Sequence, residues 1–313
     1  MNLYSIAFYN LENLFDTIDD PNTLDDDFTP TGRKKWNEKR YEKKLKKLGA
    51  AIAQIGEEKT NKRPSIVGLA EVENHKVIDD LISTKYLKNE DYGIVHFDSP
   101  DERGIEVALL YKKKDFQLLN TENFSVMIHD EEGNRDYTRD ILVVKGKLEG
   151  VLVYCIVNHW PSRRRGTEET QYKRFIAAER VREIISKIRA EDNEAKIIIM
   201  GDFNDNPNSP SVKQYLVSEN FYNPFESLFD KGLGTATREK EWYLFDQIIF
   251  SRNLFHEDEN LVFREAEIFN EHFLKSWKGK RKGSPFRTYI GKWHQGGFSD
   301  HFPVYITLEK KGN

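Results

Sequence analysis

Eight short runs of apolar and mostly β-branched residues, spread from one end of the chain to the other, constrain its fold more than any other feature. Runs of this length, bounded by polar and turn-forming residues, are typical of buried β-strands, because core helices need longer segments. The predicted strands cover residues 4–8, 65–69, 107–111, 141–145, 151–157, 196–200, 245–250 and 304–308. The core of the protein is therefore expected to rest on β-sheets.

Amphipathic helices are predicted between these strands. Their apolar stripes consist of Leu45, Leu48, Ile52 and Ile55 in one helix and of Phe175, Val181, Ile185 and Ile188 in another. A third helix is expected at His75–Ile82. No internal repeat, low-complexity tract or Pro/Gly/Ser-rich linker divides the sequence, so residues 1–313 are predicted to form a single α/β domain. A doubly wound sheet and a sandwich of two sheets both fit this pattern.

The charge and the cysteine content limit the available chemistry. The net charge of −4 argues against a protein that holds nucleic acid by bulk electrostatics, although a local basic patch is compatible with it. Cys155, the only cysteine, lies in the apolar run VLVYCIVN and is expected to be a buried strand residue. A single cysteine excludes an intramolecular disulfide and a thiolate cluster, so any metal must be held by oxygen or imidazole ligands.

The sequence shows no sign of membrane insertion. No segment approaches the roughly 20 apolar residues that a membrane-spanning helix needs. The first residues, MNLYSIAFYN, lack the basic start, the apolar stretch and the cleavage site of a signal peptide. The sequence as it stands predicts a cytoplasmic protein, and a secreted or periplasmic protein whose signal has been removed is the alternative. We expect a monomer.

Polar residues that suit a catalytic site follow the strand at 196–200. After this apolar run and Gly201 come Asp202 and Asn204, at the kind of strand end where α/β enzymes place reactive groups. A simple polar turn explains the same residues. A calcium-binding loop does not, because Pro207 and Lys213 stand where such a loop needs glycine and glutamate.

Histidines accompany two further strand ends. The segment VNHWPSRRRG places His159 after the strand at 151–157, and FSDHFPV places Asp300 and His301 before the last strand. Neighbouring side chains on a strand point to opposite faces. Asp300 and His301 can therefore act together only if they lie on an irregular segment.

Three consecutive arginines, Arg163, Arg164 and Arg165, follow the strand at 151–157 and form either a solvated loop or an anion-binding site. Glu168 and Glu169 are expected to open the next helix, where the dipole favours negative charge. Positive charge just before a helix N-terminus is unfavourable, so a phosphate-bearing substrate would explain the position of the arginines.

Two long segments, 16–32 and 276–297, are predicted to be loops. Loops of this length in a compact domain are usually functional or mobile, which makes both segments candidates for substrate contact. The second loop contains the basic run 278–282, a weaker case of the same anion-binding pattern.

Four more polar residues lie in or beside apolar runs. Glu106 in GIEVALLYKK and Asp246 in WYLFDQIIF interrupt predicted strands, while Glu71 in SIVGLAEVEN and Asn10 in IAFYNLENLFD end others. Each is either an ordinary surface residue or part of a buried polar site. Burying an unpaired carboxylate costs roughly several kcal/mol, so a buried Glu106 or Asp246 needs a cation or a hydrogen-bond donor beside it.

Taken in order, these segments resemble the endonuclease/exonuclease/phosphatase superfamily, whose members share the deoxyribonuclease-I-like fold. The matching motifs are FYNLENLFD, GLAEVEN, RGIEVALLY, VNHWPS, MGDFND, FDQIIF and SDHFPV. They extend over nearly the whole chain, and their order is more specific than any one of them. The resemblance implies a four-layered α/β sandwich, in which two mixed β-sheets pack face to face with helices outside and catalytic residues at one end.

The resemblance also implies a divalent metal and a set of residues around it. Glu71 would be the main ligand of Mg²⁺ or Mn²⁺, Asn10 would lie close to the metal and the phosphate, and Asp300 would complete the acidic site. Oxygen ligands of this kind suit such cations. Asp202 would orient or activate the attacking water, and Asn204 would hydrogen-bond a phosphate oxygen.

Two carboxylate and histidine pairs would supply an acid and a base. The resemblance implies that Asp246 pairs with His301 and Glu106 with His159, each carboxylate favouring the protonated imidazole. The expected reaction is in-line attack of water on phosphorus, assisted by the metal and the imidazolium groups. The leading hypothesis is an endonuclease-like phosphodiesterase of limited sequence selectivity, with Arg163, Arg164 and Arg165 gripping the polyanion.

Two other functions remain open at the level of sequence. A hydrolase of phospholipid headgroups or small phosphomonoesters would use exposed aromatics such as Trp160, Trp277 and Trp293. A non-catalytic phosphate-binding module is disfavoured because all the expected residue types are present. His159 stands where abasic-site repair enzymes have tyrosine, and DQIIF lacks the arginine usual in inositol 5-phosphatases, so neither branch is favoured.

Overall fold

Two six-stranded sheets form the framework of the protein in the computed structural model, which describes residues 2–130, 132–164, 166–217, 220–238, 240–257 and 260–311. The strands are β1 (Asn2–Leu14), β2 (Ile66–Val72), β3 (Tyr92–His96), β4 (Glu106–Lys112), β5 (Phe116–Phe124), β6 (Ile128–His129), β7 (Arg135–Asp136), β8 (Ile141–Leu148), β9 (Val151–His159), β10 (Lys196–Asp202), β11 (Phe221–Tyr222), β12 (Ala236–Arg238), β13 (Glu241–Tyr243), β14 (Asp246–Ser251), β15 (Leu261–Ile268), β16 (Tyr289–Ile290), β17 (Trp293–His294) and β18 (Val304–Lys310). The α-helices are α1 (Glu38–Ile52), α2 (Glu57–Thr60), α3 (His75–Ile82), α4 (Gln171–Glu191), α5 (Pro210–Lys213) and α6 (Phe225–Asp230).

Both large sheets are mixed. The first has the order β15-β18-β1-β2-β4-β3 and the second the order β11-β14-β10-β9-β8-β5. β1 runs parallel to β2 and β9 parallel to β10, while the other neighbours are antiparallel. The prediction of two mixed sheets is confirmed, and all eight predicted strands are present, each in one of these sheets.

Side chains alternate across each sheet and so define four layers. In β1, Ile6 and Phe8 face the second sheet and pack with residues such as Met200, whereas Ala7 and Tyr9 belong to the cluster that α1 and α3 cover. The outer face of the second sheet packs against α4, which buries Val181 among other residues. This helix, sheet, sheet, helix order agrees with the four-layered sandwich that the resemblance implied.

The second long helix begins later than the sequence predicted. α4 starts at Gln171, and no acidic residue lies in its first turn. Glu168 and Glu169 belong instead to the turn that precedes the helix. Among the helices formed by described residues, none combines the length and the apolar character that crossing a membrane requires.

Gly68 lies in β2 where the two sheets approach closely. A Cβ atom at this position would be 2.5 Å from Sδ of Met200 and 3.1 Å from the ring of Phe8, closer than packed atoms come to each other. Met200 belongs to β10 of the opposite sheet. The absence of a side chain at Gly68 therefore sets the local spacing of the sandwich.

We predict that Gly68→Ala lowers the free energy of unfolding by about 1–3 kcal/mol, because it overpacks a filled core. Met200→Ala alone is expected to cost about 2–5 kcal/mol through the cavity it leaves. The double variant should cost less than the sum, since the new methyl group occupies space that Met200 vacates. Urea denaturation of the four proteins measures this, and strict additivity would show that the two residues do not compete for the same space.

Candidate active site

The register of the second sheet gathers three chemically active residues at one edge. Asp202, the last residue of β10, pairs with His159 of β9 on one side and with Asp246 of β14 on the other. These residues are far apart in sequence, yet they are adjacent because neighbouring strands begin or end at the same level. The polar residues predicted at strand ends are therefore brought to a single place.

A cavity of about 380 Å³ opens beside this edge. Its lining contains acids, imidazoles and guanidinium groups together, which is the mixture that hydrolysis of a phosphate ester requires. The lining residues are Glu71, Arg103, His159, Ser162, Arg163, Arg164, Thr167, Asp202, Asn204, Ala236, Thr237, Arg238, Tyr243, Phe245, Arg287, Asp300 and His301.

His301 and Asp246 form the predicted pair. Nδ1 of His301 lies 2.7 Å from Oδ2 of Asp246, which is fully buried, and Nε2 lies 3.9 Å from Oδ2 of Asp202. Burial alone would lower the pKa of His301, but the two carboxylates and the hydrogen bond outweigh it and hold the pKa well above its usual value. His301 is therefore a cation at neutral pH.

An irregular segment allows Asp300 and His301 to share the cavity. Both precede β18, which begins at Val304, so they do not follow the alternation of a strand. The hydroxyl of Ser299 donates to the carbonyl of Asn10 at 2.6 Å and accepts from the backbone N–H of His301 at 3.1 Å. These two bonds tie the segment to β1.

Asp202 is held by two asparagines. Nδ2 of Asn10 donates to Oδ2 of Asp202 at 3.0 Å, and the backbone N–H of Asn204 donates to Oδ1 at 2.9 Å. Burial raises the pKa of Asp202 to about 7, against the opposing charge of His301. The side chain of Asn204 donates to the carbonyl of Trp160 at 2.9 Å. One hydrogen of the Asn204 amide group is therefore committed to the protein and one remains for a ligand.

The expected pair of Glu106 and His159 is not formed. Nδ1 of His159 has no hydrogen-bond partner among the described residues, while Nε2 lies 3.8 Å from Asp202 and 3.9 Å from Oε1 of Glu71. Burial raises the pKa of Glu106 to about 7, and its hydrogen bonds are with Ser99.

The prediction of a protonated His159 is also wrong, because the pKa of this imidazole is shifted down and not up. Burial lowers the pKa of His159 well below its usual value, and the positive charges of Arg139 and Arg103 lower it further. Arg139 is fixed in place by Asp101 at 3.0 Å. The site therefore contains one neutral and one protonated imidazole rather than two cations.

Glu71 reaches the cavity because β1 and β2 are both irregular at this point. The pairing of β1 with β2 shifts between Asn10 and Leu14, and the pairing of β2 with β4 shifts between Ala70 and Val72. Glu71 has a positive φ of 61°, an uncommon backbone conformation for such a residue, and its Oε2 accepts from the backbone N–H of Asn13 at 2.8 Å.

The three predicted metal ligands have different partners. Asp300 pairs with Arg287, and this partner together with His301 lowers the pKa of Asp300 against the effect of burial. Oδ1 of Asn10 accepts from the N–H of Glu12 at 2.9 Å. Glu71 receives a single backbone hydrogen bond on Oε2. Of the three, Glu71 has the carboxylate that fits a cation in the cavity best.

A second grouping meets the geometric requirements of a metal site. Asp202, Asp246 and His301 each offer one ligand atom, and these atoms lie within 4.8 Å of one another. The raised pKa of His301 argues against this use, since an imidazolium has no lone pair to give. The protonated ring already provides the positive charge that the two carboxylates require.

The arginines of the run 163–165 do not share one environment. Arg163 bonds to the carboxylate of Asp205 and to the carbonyl of Asn204, and its guanidinium lies 5.0 Å from the ring centre of Phe245. Asp205 also pairs with the buried Arg174 at 2.9 Å, so Arg163 is part of the support of the site. Arg164 is exposed at the rim of the cavity, and Arg165 lies outside the described residues.

Comparison with known proteins agrees with this architecture. Residues 5–310 match the family described as Endonuclease/Exonuclease/phosphatase family. The chain belongs to this family. No curated protein sequence matches it.

Several solved structures share the fold at low sequence identity. The family protein from Bacteroides thetaiotaomicron has a TM-score of 0.61 at 15% identity, covering 98% of this chain and 97% of that one. D. rerio TDP2 complexed with a single-strand DNA product has a TM-score of 0.58 at 15% identity, covering 99% and 100%. The human Nocturnin catalytic domain with bound sulfate has a TM-score of 0.59 at 17% identity, covering 99% and 94%.

Several residues at the site were not predicted from the sequence. Arg103, Arg238 and Arg287 line the cavity, together with Tyr243 and Phe245. Arg103 is the first residue of the RGIEVALLY motif, and its position just before a predicted strand is the sequence signal that identifies it. Arg287 lies within the predicted loop 276–297, but no local signal separates it from the other basic residues there.

We predict that Asp205→Asn destabilises the protein by about 3–5 kcal/mol, because it leaves the buried guanidinium of Arg174 and that of Arg163 without their shared carboxylate. Chemical denaturation measures the loss. Glu226→Gln is the matched control, since it breaks an exposed pair with Lys213 and should cost no more than about 1 kcal/mol. Similar losses in the two variants would exclude Asp205 as the buried support of the site.

Proposed function

We propose that this protein is a Mg²⁺- or Mn²⁺-dependent phosphodiesterase that cleaves nucleic acid. The observation that carries the proposal is the arrangement of His301 and His159 on either side of Asp202, at a cavity rimmed by arginines, with the pKa of His301 raised and that of His159 lowered. Groups of opposite protonation around one cavity are the usual means by which enzymes supply an acid and a base at neutral pH.

Glu71 is the residue we assign as the main metal ligand, with Asp300 and Asn10 close by. Carboxylate and amide oxygens are the ligands that Mg²⁺ and Mn²⁺ prefer. When bound, such an ion neutralises charge on the phosphate and lowers the pKa of a coordinated water.

The side chains divide the remaining work. Asp202, fixed by Asn10 and Asn204, orients the attacking water. His159 can accept a proton at Nε2, because its depressed pKa keeps it neutral. His301 carries the positive charge that stabilises the transition state and can donate its Nε2 proton to the departing oxygen.

The positive rim supports a polyanionic substrate. Arg103, Arg164 and Arg238 line the cavity, and none of them forms an ion pair with a described carboxylate. Arg103 donates to Oδ1 of Asn13 at 2.5 Å. Guanidinium groups without a carboxylate partner beside the reacting phosphate suit a substrate with further phosphates on either side. A relative of the same fold, TDP2, has been captured with a single-strand DNA product, which supports this choice.

A phospholipid headgroup or a small phosphomonoester is the second candidate substrate. The exposure of two tryptophans favours this candidate, since 63% of the surface of Trp277 and 68% of the surface of Trp293 is accessible. Trp160, the third aromatic considered from sequence, is fully buried against Phe203 and has no such role. A non-catalytic phosphate-binding module would have no need of two imidazoles whose pKa values are shifted in opposite directions.

We predict that the metal-stripped protein hydrolyses no phosphodiester and regains activity with Mg²⁺ or Mn²⁺. His301→Ala should lower kcat by about 10²–10⁴-fold, because it removes the imidazolium from the site. His129→Ala, which removes an exposed histidine in β6, should leave kcat unchanged. Supercoiled DNA, RNA, sphingomyelin and a chromogenic phosphodiester are the substrates to compare.

The pattern of substrates separates the candidate functions. Cleavage of DNA or RNA that requires both metal and His301 supports the nuclease proposal. Turnover of sphingomyelin or the small ester alone would keep the chemistry and replace the substrate. If none of the four substrates is hydrolysed, the non-catalytic phosphate-binding module is the remaining candidate function.

We predict that kcat falls at alkaline pH as His301 loses its proton. The enzyme is active below the raised pKa of His301, where the imidazole is protonated, and inactive above it. Asp246→Asn removes the carboxylate bonded to Nδ1, so the alkaline limb should move down by about one to three pH units. Steady-state rates between pH 5 and pH 10, roughly the range of His titration in proteins, measure this. An alkaline limb that does not move in Asp246→Asn would assign the titration to another group.

A further inference from the structure

The segment between Glu271 and Asp300 is strongly basic and contains no acidic residue. It contains seven of the 48 lysines and arginines and none of the 52 acidic residues. The cations are Lys275, Lys278, Lys280, Arg281, Lys282, Arg287 and Lys292. This segment therefore carries a local excess of positive charge in a protein whose net charge is −4.

The centre of this segment, residues 276–284, is a closed loop that we call the basic loop. Its base is held by hydrogen bonds of 2.8 Å from the N–H of Ser276 to the carbonyl of Ser284 and from the N–H of Gly283 to the carbonyl of Ser276. Lys275 and Pro285 form a β-bridge beside them. These contacts fix the two ends of the loop that carries the cations.

The cations of the basic loop have no acidic partner among the described residues. Lys278, Lys280, Arg281 and Lys282 form no ion pair with a described residue. In the rest of the segment, by contrast, Arg287 pairs with Asp300, and Gly291 and Gly296 accept hydrogen bonds from Lys34 and Lys47. Four adjacent like charges repel one another, so their proximity is unfavourable unless an anion joins them.

A cavity of about 510 Å³ separates the basic loop from the hairpin of β12 and β13. Its lining residues are Thr237, Lys240, Trp242, Lys280, Arg281, Lys282 and Ser284, so no acidic side chain occurs among the described residues that line it. Trp242 stacks on Phe302 with ring centres 6.0 Å apart and keeps 37% of its surface exposed. The cavity thus combines a fixed aromatic face with four cations.

A second cavity, of about 450 Å³, lies on the other side of the basic loop and contains Trp277, Lys278 and Arg287 in its lining. Lys280 and Arg281 line both of these cavities. The catalytic cavity shares Thr237 with the first and Arg287 with the second. The three cavities are therefore neighbours that share lining residues around the base of the basic loop.

We propose that the basic loop and the β12–β13 hairpin form a binding track for single-stranded nucleic acid. The track holds nucleotides next to the one whose phosphate is cleaved, with Trp242 and Trp277 stacking bases and the lysines and arginines contacting phosphates. This inference rests on the proposed phosphodiesterase function and specifies its substrate. Basic grooves with aromatic faces are the general means of holding single strands without sequence preference.

The shape of the track favours a nucleic acid strand over a lipid surface. Trp242 lies in the lining of a concave cavity, where a flat membrane cannot reach it, whereas an unstacked base can enter. The ring of Trp277 has the ammonium group of Lys278 4.5 Å from its centre. Burying that ring in hydrocarbon would carry the charge with it at a high cost, whereas a nucleotide satisfies ring and ammonium together.

The first experiment measures binding without cleavage. A fluorescein-labelled oligothymidylate of about 12 nucleotides is titrated with the full-length protein in EDTA, with fluorescence anisotropy as the readout. The variant Lys280→Gln/Arg281→Gln/Lys282→Gln should raise Kd at least about tenfold, and the slope of log Kd against log salt should fall by about two because three phosphate contacts are lost. Trp277→Ala should raise Kd about fivefold or more, and Trp277→Phe should restore most of the affinity.

Matched controls distinguish loss of the binding track from a general loss of positive charge and from misfolding of the variant. Lys85→Gln/Lys88→Gln/Lys147→Gln removes three exposed lysines that line none of the three cavities and should change Kd by less than about twofold. The same variants are then assayed for hydrolysis of the oligonucleotide and of a chromogenic aryl phosphodiester. The triple variant of the basic loop should keep wild-type turnover of the aryl ester, which shows that it is folded, and should lose oligonucleotide hydrolysis mainly through KM.

Each alternative result has a definite meaning. Wild-type affinity for the oligonucleotide in the triple variant overturns the track, and so does a defect confined to binding of phosphatidylserine vesicles. If the wild type hydrolyses no phosphodiester but still binds the oligonucleotide through the basic loop, the proposed function fails while the track stands. If hydrolysis of the oligonucleotide proceeds normally without the loop cations, the function stands and the track fails.

Discussion

The need to neutralise buried carboxylates governs this end of the molecule. Asp246, Asp202, Asp205 and Asp101 are all buried, and an unpaired charge in such a place is strongly destabilising. Each has a cation close by, supplied by a different part of the chain. The ion pairs are Asp246 with His301, Asp205 with Arg163 and Arg174, and Asp101 with Arg139, while Asp202 has His159 and His301 within 3.9 Å. The same pairs that stabilise the fold set the protonation of the two imidazoles.

The difference between the two histidines follows from which charges surround each of them. His301 lies between carboxylates, so its proton is retained. For His159, burial lowers the pKa most, and the positive charges of Arg139 and Arg103 lower it further, so this imidazole is neutral. Two identical side chains thus acquire opposite roles from their surroundings, without any difference in their own chemistry.

The sequence predicted the framework well because its central strands are buried on both faces and therefore appear as apolar runs. The outer strands β3, β5, β11 and β15 were missed, since edge strands such as β5 are half exposed and have a mixed composition. At the site, the residues at strand ends were found from their positions, and the pairing of Asp246 with His301 was predicted correctly from the family motifs. The partner of His159 and the position of Arg287 depend on how distant loops fold together, and no spacing within the sequence records that.

Glu12 links the catalytic end of the sandwich to the basic segment. It lies in the irregular part of β1 with a positive φ of 52°, two residues after Asn10, and its carboxylate accepts the backbone N–H groups of Thr288 and Tyr289. The buried Lys44 of α1 completes the link, donating to the carbonyl of Glu12 at 2.6 Å and to the hydroxyl of Thr288 at 2.7 Å. Strain in a backbone of this kind persists only where the surroundings determine it from several sides. The irregular strand that places Asn10 beside Asp202 is therefore held by the same segment that carries the loop cations, so the position of the reacting groups and the position of the positive surface are fixed by one set of contacts.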